Sequence, residues 1–261
     1  MNKVEKIDND LLHITFTAPH KLSLDLVHPG SYIFVRTDEN NYFDVPISIL
    51  ESNVDNDEIS LLIEIRGIKT KKILDLKTGE NIIIRGPYWN GVFGLKNIES
   101  TKNSNALVLA RGIGIAPMIP VIRNLKNSNN NISLIIDKSP YNEIPVKNYI
   151  SKYLNLWNEE TLIVQGKIPE NTKNIIKNTI KENNIKLIYC AGADILIYNI
   201  IDFLNELGRN DIKLSCCNNS KMCCGEGICG SCTARFKGHK VKRLCKIQTD
   251  PRNIFEGRRF I

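Results

Sequence analysis

The chain has 261 residues, 42% of them hydrophobic and 24% charged, with a formal net charge of +7. These proportions are those of an ordinary globular protein, and no apolar run approaches the ~18 residues needed to span a bilayer. The N-terminal segment lacks the apolar core of a signal peptide, and the chain carries eight cysteines. Together these features predict a protein of the reducing cytoplasm.

The first hundred residues are predicted to form short β-strands separated by turns. Five segments are rich in β-branched and aromatic residues: 12–17, 32–37, 46–50, 59–65 and 81–85. Pro29-Gly30, Thr78-Gly79 and Gly86-Pro87 provide turn signals, and residues 71–76 suggest one brief helix. This spacing predicts an antiparallel β-barrel over residues 1–100.

The pattern changes near residue 103. Residues 106–110 are uniformly apolar, which is typical of a strand buried on both faces of a parallel sheet. A glycine-rich turn at 112–117 follows, and a helix is predicted from residue 118. Further strands are predicted at 132–137, 161–166 and 186–193, with helices at 172–183 and 195–207. Alternating strands and helices predict a doubly wound α/β domain over residues 101–210.

Two positions in this α/β region suggest ligand contacts. The turn Gly112-Ile113-Gly114-Ile115-Ala116-Pro117 can cradle a pyrophosphate, because glycine lets backbone N–H groups approach a phosphate at a helix N-terminus. It is not the full G-x-G-x-x-G fingerprint, so a plain strand–helix connection stays open. Cys190 and Gly192 end a strand where ligands bind in open α/β sheets, although a buried cysteine often acts as a small hydrophobe. In the N-terminal barrel region, Ser48 is an isolated hydroxyl on an apolar strand, a pattern that indicates a structural role.

Residues 211–261 form a third module that is dominated by cysteines. Four of them, Cys224, Cys229, Cys232 and Cys245, are spaced C-x4-C-x2-C-x12-C. The first two spacings are those that open plant-type [2Fe–2S] sites, in which four thiolates hold two irons. The glycines at positions 225, 227 and 230 allow the loop to approach a cluster closely.

Two other structures also use cysteines: a structural zinc site and disulfide bonds. A structural zinc usually takes two short C-x2-4-C knuckles, whereas here Cys229 and Cys232 form one such pair. Disulfide bonds are typical of small secreted chains, whereas this chain is long and its N-terminal segment lacks the apolar core of a signal peptide. Cys216, Cys217 and Cys223 are expected to lie beside the cluster as bystanders, and Cys223, which is adjacent to Cys224, is also an alternative first ligand.

Basic residues crowd the C-terminus. They are Lys237, Lys240, Lys242, Arg243, Lys246, Arg252, Arg258 and Arg259, against Asp250 and Glu256. No aromatic stacking platform is interleaved with them, so nucleic-acid binding is not predicted. The bases either offset the negative charge of a cluster, meet an acidic protein partner, or form a solvated tail.

The order of barrel, nucleotide domain and four cysteines resembles the ferredoxin–NADP reductase superfamily. It resembles in particular the electron-transfer subunit of dihydroorotate dehydrogenase and the related sulfide dehydrogenase-type flavin subunits. The likeness covers nearly the whole chain. It implies a barrel that binds FAD, an α/β domain that binds NAD(P)H, and a C-terminal [2Fe–2S] cluster that relays electrons to a partner oxidoreductase subunit.

The resemblance also implies site residues. Pro46, Ile47 and Ser48 match the segment along the isoalloxazine ring, and Ser48 matches the serine near flavin N5, which reverses its structural interpretation. Leu62, Ile63, Glu64, Lys69 and Thr70 fall where the family contacts the FAD ribose and pyrophosphate. Gly112, Gly114 and Pro117 match the pyridine-nucleotide turn, and Cys190 and Gly192 match a pair beside the nicotinamide. Cys224, Cys229, Cys232 and Cys245 match the cluster ligands.

Three departures from the family pattern bear on flavin binding. Val45 stands where the family usually has arginine, Glu64 where another arginine is common, and Lys69 where glycine is common. Neighbouring Arg66, Lys71 and Lys72 can restore positive charge, and Asp137 is the acidic candidate for the adenosine ribose.

We therefore predict an enzyme, an electron-transfer flavoprotein subunit with Ser48 and Cys190 as its catalytic residues. Flavin converts a two-electron hydride into single-electron steps, which suits a path between NAD(P)H and an iron–sulfur cluster. The alternative is a non-enzymatic iron–sulfur relay or regulatory subunit that has lost flavin or nucleotide binding, which Val45 and Glu64 favour.

Overall fold

The computed structural model describes residues 1–36, 44–236 and 240–258. Of the positions discussed above, Thr37, Lys237 and Arg259 lie outside the described residues, as do the side chains of Glu256 and Arg258. The described residues form two large sheets and one small one. Within these ranges, no helix combines the length and the apolar character that crossing a membrane requires.

The N-terminal sheet has six antiparallel strands in the order β1-β2-β5-β4-β3-β6. They are β1 (Lys3–Asp8), β2 (Leu11–Thr17), β3 (Tyr32–Arg36), β4 (Val45–Asn53), β5 (Glu58–Glu64) and β6 (Ile83–Tyr88). Helix α1 (His20–Asp25) follows β2, and α2 (Ile68–Lys71) with a 3-10 turn (Lys72–Asp75) follows β5. Side chains such as Ile14, Ile33 and Leu61 form its buried core. The predicted antiparallel β-architecture of this half is confirmed.

Strand β6 differs from the prediction, which ended it at residue 85 before a Gly86-Pro87 turn. In the structure β6 continues through both residues to Tyr88. The pairing of β3 with β6 shifts register between Tyr32 and Phe34. Such an irregularity accommodates a proline, which has no N–H to donate to the ladder.

The second sheet has the order β7-β11-β10-β8-β9. Its strands are β7 (Val92–Phe93), β8 (Asn105–Arg111), β9 (Asn131–Asp137), β10 (Leu187–Ala191) and β11 (Lys213–Cys217). All neighbours are parallel except β7, which pairs antiparallel with β11. Helices α3 (Leu95–Glu99), α4 (Ile115–Asn127), α5 (Glu143–Ile150), α6 (Glu170–Glu182) and α7 (Asp194–Glu206) accompany it. This arrangement confirms the predicted α/β architecture.

Residues 106–110 of strand β8 are uniformly apolar because both faces of this strand are buried. Leu107 and Leu109 belong to one buried cluster, whereas Ala106, Val108 and Ala110 belong to another. Successive side chains of a strand point to opposite faces, so both faces of this central strand are covered.

The predicted strand over residues 161–166 is wrong. Val164 and Lys167 form only an isolated bridge around Gln165 and Gly166, whose φ angles are 47° and 79°. Two consecutive residues at positive φ reverse the chain as a tight turn. The apolar pattern that suggested a strand instead reflects packing, because Leu162 is fully buried in the core.

The C-terminal segment packs on the second sheet. It contributes β12 (Thr233–Arg235), β13 (Val241–Arg243) and α8 (Pro251–Arg258). Leu244, Ile254 and Phe255 share a buried cluster with residues of β10 and α7. Strand β11 lies within residues 211–261 and joins the five-stranded sheet, so the chain passes directly from this sheet into the cysteine loop, residues 218–232.

We predict that Asn130 is important for stability. It is buried, its Oδ1 accepts a bond from the Ser104 N–H (3.0 Å), and its Nδ2 donates to the Leu125 carbonyl (2.9 Å). Asn130→Ala leaves the Ser104 N–H without its acceptor and removes the side-chain bond to Leu125, so urea titration should show a free energy of unfolding lowered by about 1–3 kcal/mol. The exposed neighbour offers a control, since Asn131→Ala should cost less than about 0.5 kcal/mol. Equal losses would contradict this account.

Candidate functional site

A cavity of about 400 Å³ opens between the two large sheets. One wall comes from the start of β4, the end of β5 and the turn into α2. The other comes from the loops after β8, β9, β10 and β11, at the carboxyl edge of the parallel strands, where open α/β sheets bind ligands. Eleven of the predicted cofactor contacts line it: Pro46, Ile47, Ser48, Leu62, Ile63, Glu64, Thr70, Gly112, Gly114, Pro117 and Gly192. Lys69 and Cys190 are not among its lining residues.

Glu64 is held by two partners at the junction of the walls. Its Oε1 accepts a hydrogen bond from the Tyr141 hydroxyl at 2.9 Å, and its Oε2 lies 2.6 Å from Nε of Arg66. Burial and the charge of Glu64 raise the pKa of Tyr141, so the phenol stays a donor. Arg66 offsets the negative charge that Glu64 brings to this wall.

Thr70 shapes the turn that leads into α2. Its Oγ1 accepts hydrogen bonds from the backbone N–H groups of Arg66 (2.9 Å) and Gly67 (3.0 Å). These bonds satisfy donors that have no partner within the helix. Thr70 therefore fixes the backbone on the same wall as Glu64.

The glycine-rich turn forms the opposite wall. A 3-10 turn (Gly112–Gly114) leads directly into α4, which has thirteen residues. A Cβ on Gly114 would lie 2.3 Å from the carbonyl oxygen of Ala191, so only glycine fits between this turn and the end of β10. Pro117 in the first helical turn loses no intrahelical bond. The helix N-terminus thus presents backbone N–H groups and a partial positive charge to the cavity.

Asp137 is committed to holding two loops. Its Oδ2 lies 3.0 Å from Nε of Arg111 and accepts the Leu162 N–H at 3.0 Å, while its Oδ1 accepts the Ser139 N–H at 3.0 Å. The side chain is buried. This network leaves Asp137 unsuited to the ribose contact for which we nominated it, and it orients Arg111 at the cavity wall.

Two cysteines near the cavity occupy different environments. Cys190 is fully buried on the core side of β10, and burial raises the pKa of its thiol. Cys217, which we expected to be a bystander, lines the cavity. Its Sγ lies 3.3 Å from both the N and the O of Gly192, and burial raises its pKa to about 11. Sequence reasoning missed Cys217 because its position depends on the pairing of β11 with β10.

The cysteine loop and Cys245, which follows β13, arrange the four predicted ligands as two pairs. Cys224 lies next to Cys229, and Cys232 lies next to Cys245. The backbone N–H of Cys245 also points at Cys232 Sγ at 3.4 Å. Across the described ranges, no group of three or more histidine, cysteine or acidic side chains stands ready to hold one metal ion. All eight cysteines are free thiols, so no disulfide is present.

Backbone donors surround the first of these thiols. Burial works to raise the pKa of Cys224, but N–H groups of Cys229, Glu226 and Ile228 outweigh it and lower the pKa to about 6. The Glu226 N–H lies 3.3 Å from Cys224 Sγ. Cys223 instead places its Sγ 3.1 Å from the Ser231 hydroxyl. The loop therefore favours a thiolate at Cys224.

Arg85 attaches the cysteine loop to the N-terminal sheet. Its guanidinium donates to the carbonyl oxygens of Cys224 (2.6 Å) and Cys223 (3.2 Å), and it lies 4.2 Å from the centre of the Phe34 ring. Gly225 packs so closely on this sheet that a Cβ there would lie 2.6 Å from Tyr88. Local sequence patterns could not predict this role of Arg85, because Cys223 and Cys224 lie almost 140 residues away along the chain.

Comparison with known proteins identifies the family. The FAD-binding domain family matches residues 1–144, more than half of the chain. The chain belongs to this family. The relatives include the electron transfer subunit of dihydroorotate dehydrogenase B (NAD(+)) of Clostridium acetobutylicum, which is 29% identical and aligns over 84% of this chain and 82% of the relative. A probable subunit of the same name from Methanopyrus kandleri is 26% identical, over 74% of this chain and 69% of the relative.

Solved structures agree on the fold. An NADH-dependent reduced ferredoxin–NADP oxidoreductase superposes with a TM-score of 0.71 over 95% of this chain and 85% of that one, at 18% identity. Phthalate dioxygenase reductase gives a TM-score of 0.59 over 93% and 92%, at 12% identity. These superpositions confirm the predicted ferredoxin–NADP reductase-like fold.

We predict that Gly114→Ala destabilises the protein. The added methyl group would overlap the Ala191 carbonyl, so the turn or the end of β10 must move. Thermal or urea unfolding should show a loss of about 1–3 kcal/mol, which is typical of overpacking. Gly67→Ala is the matched control, because a Cβ there meets no atom within 4 Å. A neutral Gly114→Ala variant would refute the close approach.

Proposed function

We propose that this chain is the electron-transfer subunit of a larger oxidoreductase, passing electrons between NAD(P)H, FAD and a [2Fe–2S] cluster, and to or from a partner subunit. The observation that carries the proposal is that two sets of residues face each other across one cavity. The flavin wall, at the start of β4, the end of β5 and the turn into α2, faces the nucleotide wall, which includes the glycine turn at 112–117. The cysteine loop packs on the N-terminal sheet that carries the flavin wall. We assign these tasks to residues 1–100, 101–210 and 211–261, with β11 structurally part of the second sheet.

The flavin wall would hold FAD along β4 and β5. Pro46, Ile47 and Ser48 would lie along the ring, and Leu62, Ile63, Glu64 and Thr70 would contact the ribose and pyrophosphate. Lys69 would add positive charge from α2. When bound, FAD supplies the exchange between two-electron and one-electron chemistry. The match to the FAD-binding domain family speaks against the alternative of a relay that has lost its flavin.

The nucleotide wall would hold NAD(P)H. Gly112, Gly114 and Pro117 place the N-terminus of α4 at the cavity, which suits a pyrophosphate. Gly192 would lie beside the nicotinamide, and Ser48 on the facing wall would orient the ring that accepts the hydride. Cys190, the predicted catalytic cysteine, is fully buried and does not line the cavity, whereas Cys217 does.

The cysteine loop fits a two-iron cluster. Four thiolates hold the two irons of such a cluster, and two thiol pairs, Cys224 with Cys229 and Cys232 with Cys245, match that need. A structural zinc site usually takes two short cysteine knuckles, whereas only Cys229 and Cys232 have the C-x2-C spacing. Donors such as the Glu226 N–H suit sulfur that carries negative charge.

The surface around Ile228 and Cys229 of the cysteine loop would bind the partner subunit. Ile228 is 82% exposed, and Cys229 next to it is also exposed. Lys242 and Lys246 are exposed nearby, so an acidic partner surface would be complementary. The relatives named as electron transfer subunits support such an assembly. We place the assembly in the cytoplasm, where free thiols are kept reduced.

We predict that Cys229→Ser removes the cluster and keeps the flavin. Loss of one thiolate should reduce bound iron and sulfide and remove cluster absorption, because all four ligands are needed. FAD content should stay at the wild-type level, since Cys229 lies outside the cavity. Cys223→Ser is the control and should keep its iron. Unchanged iron in Cys229→Ser would remove it from the ligand set.

We predict that Cys217, and not Cys190, affects hydride transfer. Cys217→Ala removes the thiol that holds Gly192 at the cavity wall, so the rate of flavin reduction by NADH or NADPH should fall about ten- to a hundredfold through misplacement of the nicotinamide. Cys190→Ala should leave this rate within about twofold and lower stability instead. Stopped-flow absorbance measures both. The reverse ranking would return the role to Cys190.

A further inference from the structure

Tyr32 carries a buried hydroxyl with no partner. The residue is 3% exposed, and within the described part of the chain its phenol oxygen has no hydrogen-bond partner. Burying a hydroxyl without a partner costs free energy, and most such groups in folded proteins are paired. An unpaired hydroxyl next to a site for a bound group therefore suggests that the group supplies the missing acceptor.

The position of Tyr32 joins the cavity to the cysteine loop. It pairs directly across the strands with Ser48, so both side chains project from the same face of the sheet. Its ring stacks on Tyr88 with centroids 5.2 Å apart, and Tyr88 lies against Gly225 of the cysteine loop. Tyr32 also shares one buried cluster with Cys232 and Cys245.

The surroundings keep the phenol protonated. Burial raises its pKa, so the hydroxyl keeps its proton. The neighbouring phenol of Tyr88 is already engaged, because Arg85 donates to its oxygen. Of these two stacked rings, Tyr32 is the one whose phenol oxygen has no hydrogen-bond partner among the described residues.

We propose that the Tyr32 hydroxyl donates a hydrogen bond to a sulfur of the cluster on its Cys232–Cys245 side, and that this bond sets how electrons are shared between cluster and flavin. Hydrogen bonds to cluster sulfurs are one of the factors that set reduction potentials, and a donor stabilises the more negative, reduced cluster. Tyr32 is thus a positioning and tuning residue. The inference rests on the proposed function, which supplies the cluster.

The test compares two variants that each lose one buried hydroxyl. Tyr32→Phe should lower the cluster potential in an EPR-monitored redox titration, with about a tenfold shift of the one-electron equilibrium toward reduced flavin, equivalent to 59 mV. It should also lose part of the shift that D₂O causes in the Fe–S stretching bands of the resonance Raman spectrum. Tyr189→Phe is the control, because Tyr189 is equally buried and unpaired but lies in the core of the second sheet. It should change neither quantity.

A second change covers the case in which Tyr32→Phe fails to assemble. Incorporation of 3,5-difluorotyrosine at position 32 makes the phenol a stronger donor, so the cluster potential should rise. Potentials and Raman bands that match wild type in both proteins would overturn the role of Tyr32 while leaving the cluster intact. A wild-type protein that holds no iron after anaerobic purification would overturn the proposed function and this inference together.

Discussion

The attachment of the cysteine loop to the N-terminal sheet through Arg85 is the contact on which the rest of the arrangement depends. Its guanidinium bonds the carbonyls of Cys223 and Cys224 while lying over the Phe34 ring. The arginine donates hydrogen bonds to backbone carbonyl groups, and its planar guanidinium also packs on an aromatic ring. Because Arg85 lies on β6 and β6 pairs with β3, the loop is fixed relative to Tyr32 and, one strand further, to Ser48 at the cavity.

A second connection runs through the end of β11. Cys217 holds Gly192 at the nucleotide side of the cavity, and the next residues tie the chain to both sheets. Asn218 donates to the carbonyls of Asn90 and Leu244, and Asn219 donates to the carbonyl of Gly192. These two asparagines begin the cysteine loop. A segment of a few residues thus joins the Gly192 side of the cavity to the predicted cluster ligands, which suits the electron path that we propose.

Local patterns predicted much of this structure from the sequence. The apolar run of β8, the glycine turn before α4 and the spacing of the cysteines each reflect chemistry within a few residues. Long-range contacts were not predictable, since Arg85 meets Cys224 across 139 positions and Cys217 meets Gly192 only because β11 lies beside β10. Residues 161–166 misled the prediction, because Leu162 is apolar for packing and the following turn prevents a ladder. Asp137 was predicted to contact the ribose, but it instead bonds Arg111 and Leu162. Both partners lie about 25 residues away along the chain, so local sequence patterns did not indicate them.

The number of electrons that the chain accepts tests the central claim most directly. Flavin takes two electrons and a [2Fe–2S] cluster takes one. An anaerobic titration of the purified chain with dithionite, followed by visible absorbance and EPR, should therefore reach full reduction at three electrons per chain. NADH or NADPH should also bleach the flavin and bring up the EPR signal of the reduced cluster. Full reduction at one electron, with no flavin released on denaturation, would contradict the account and leave an iron–sulfur relay.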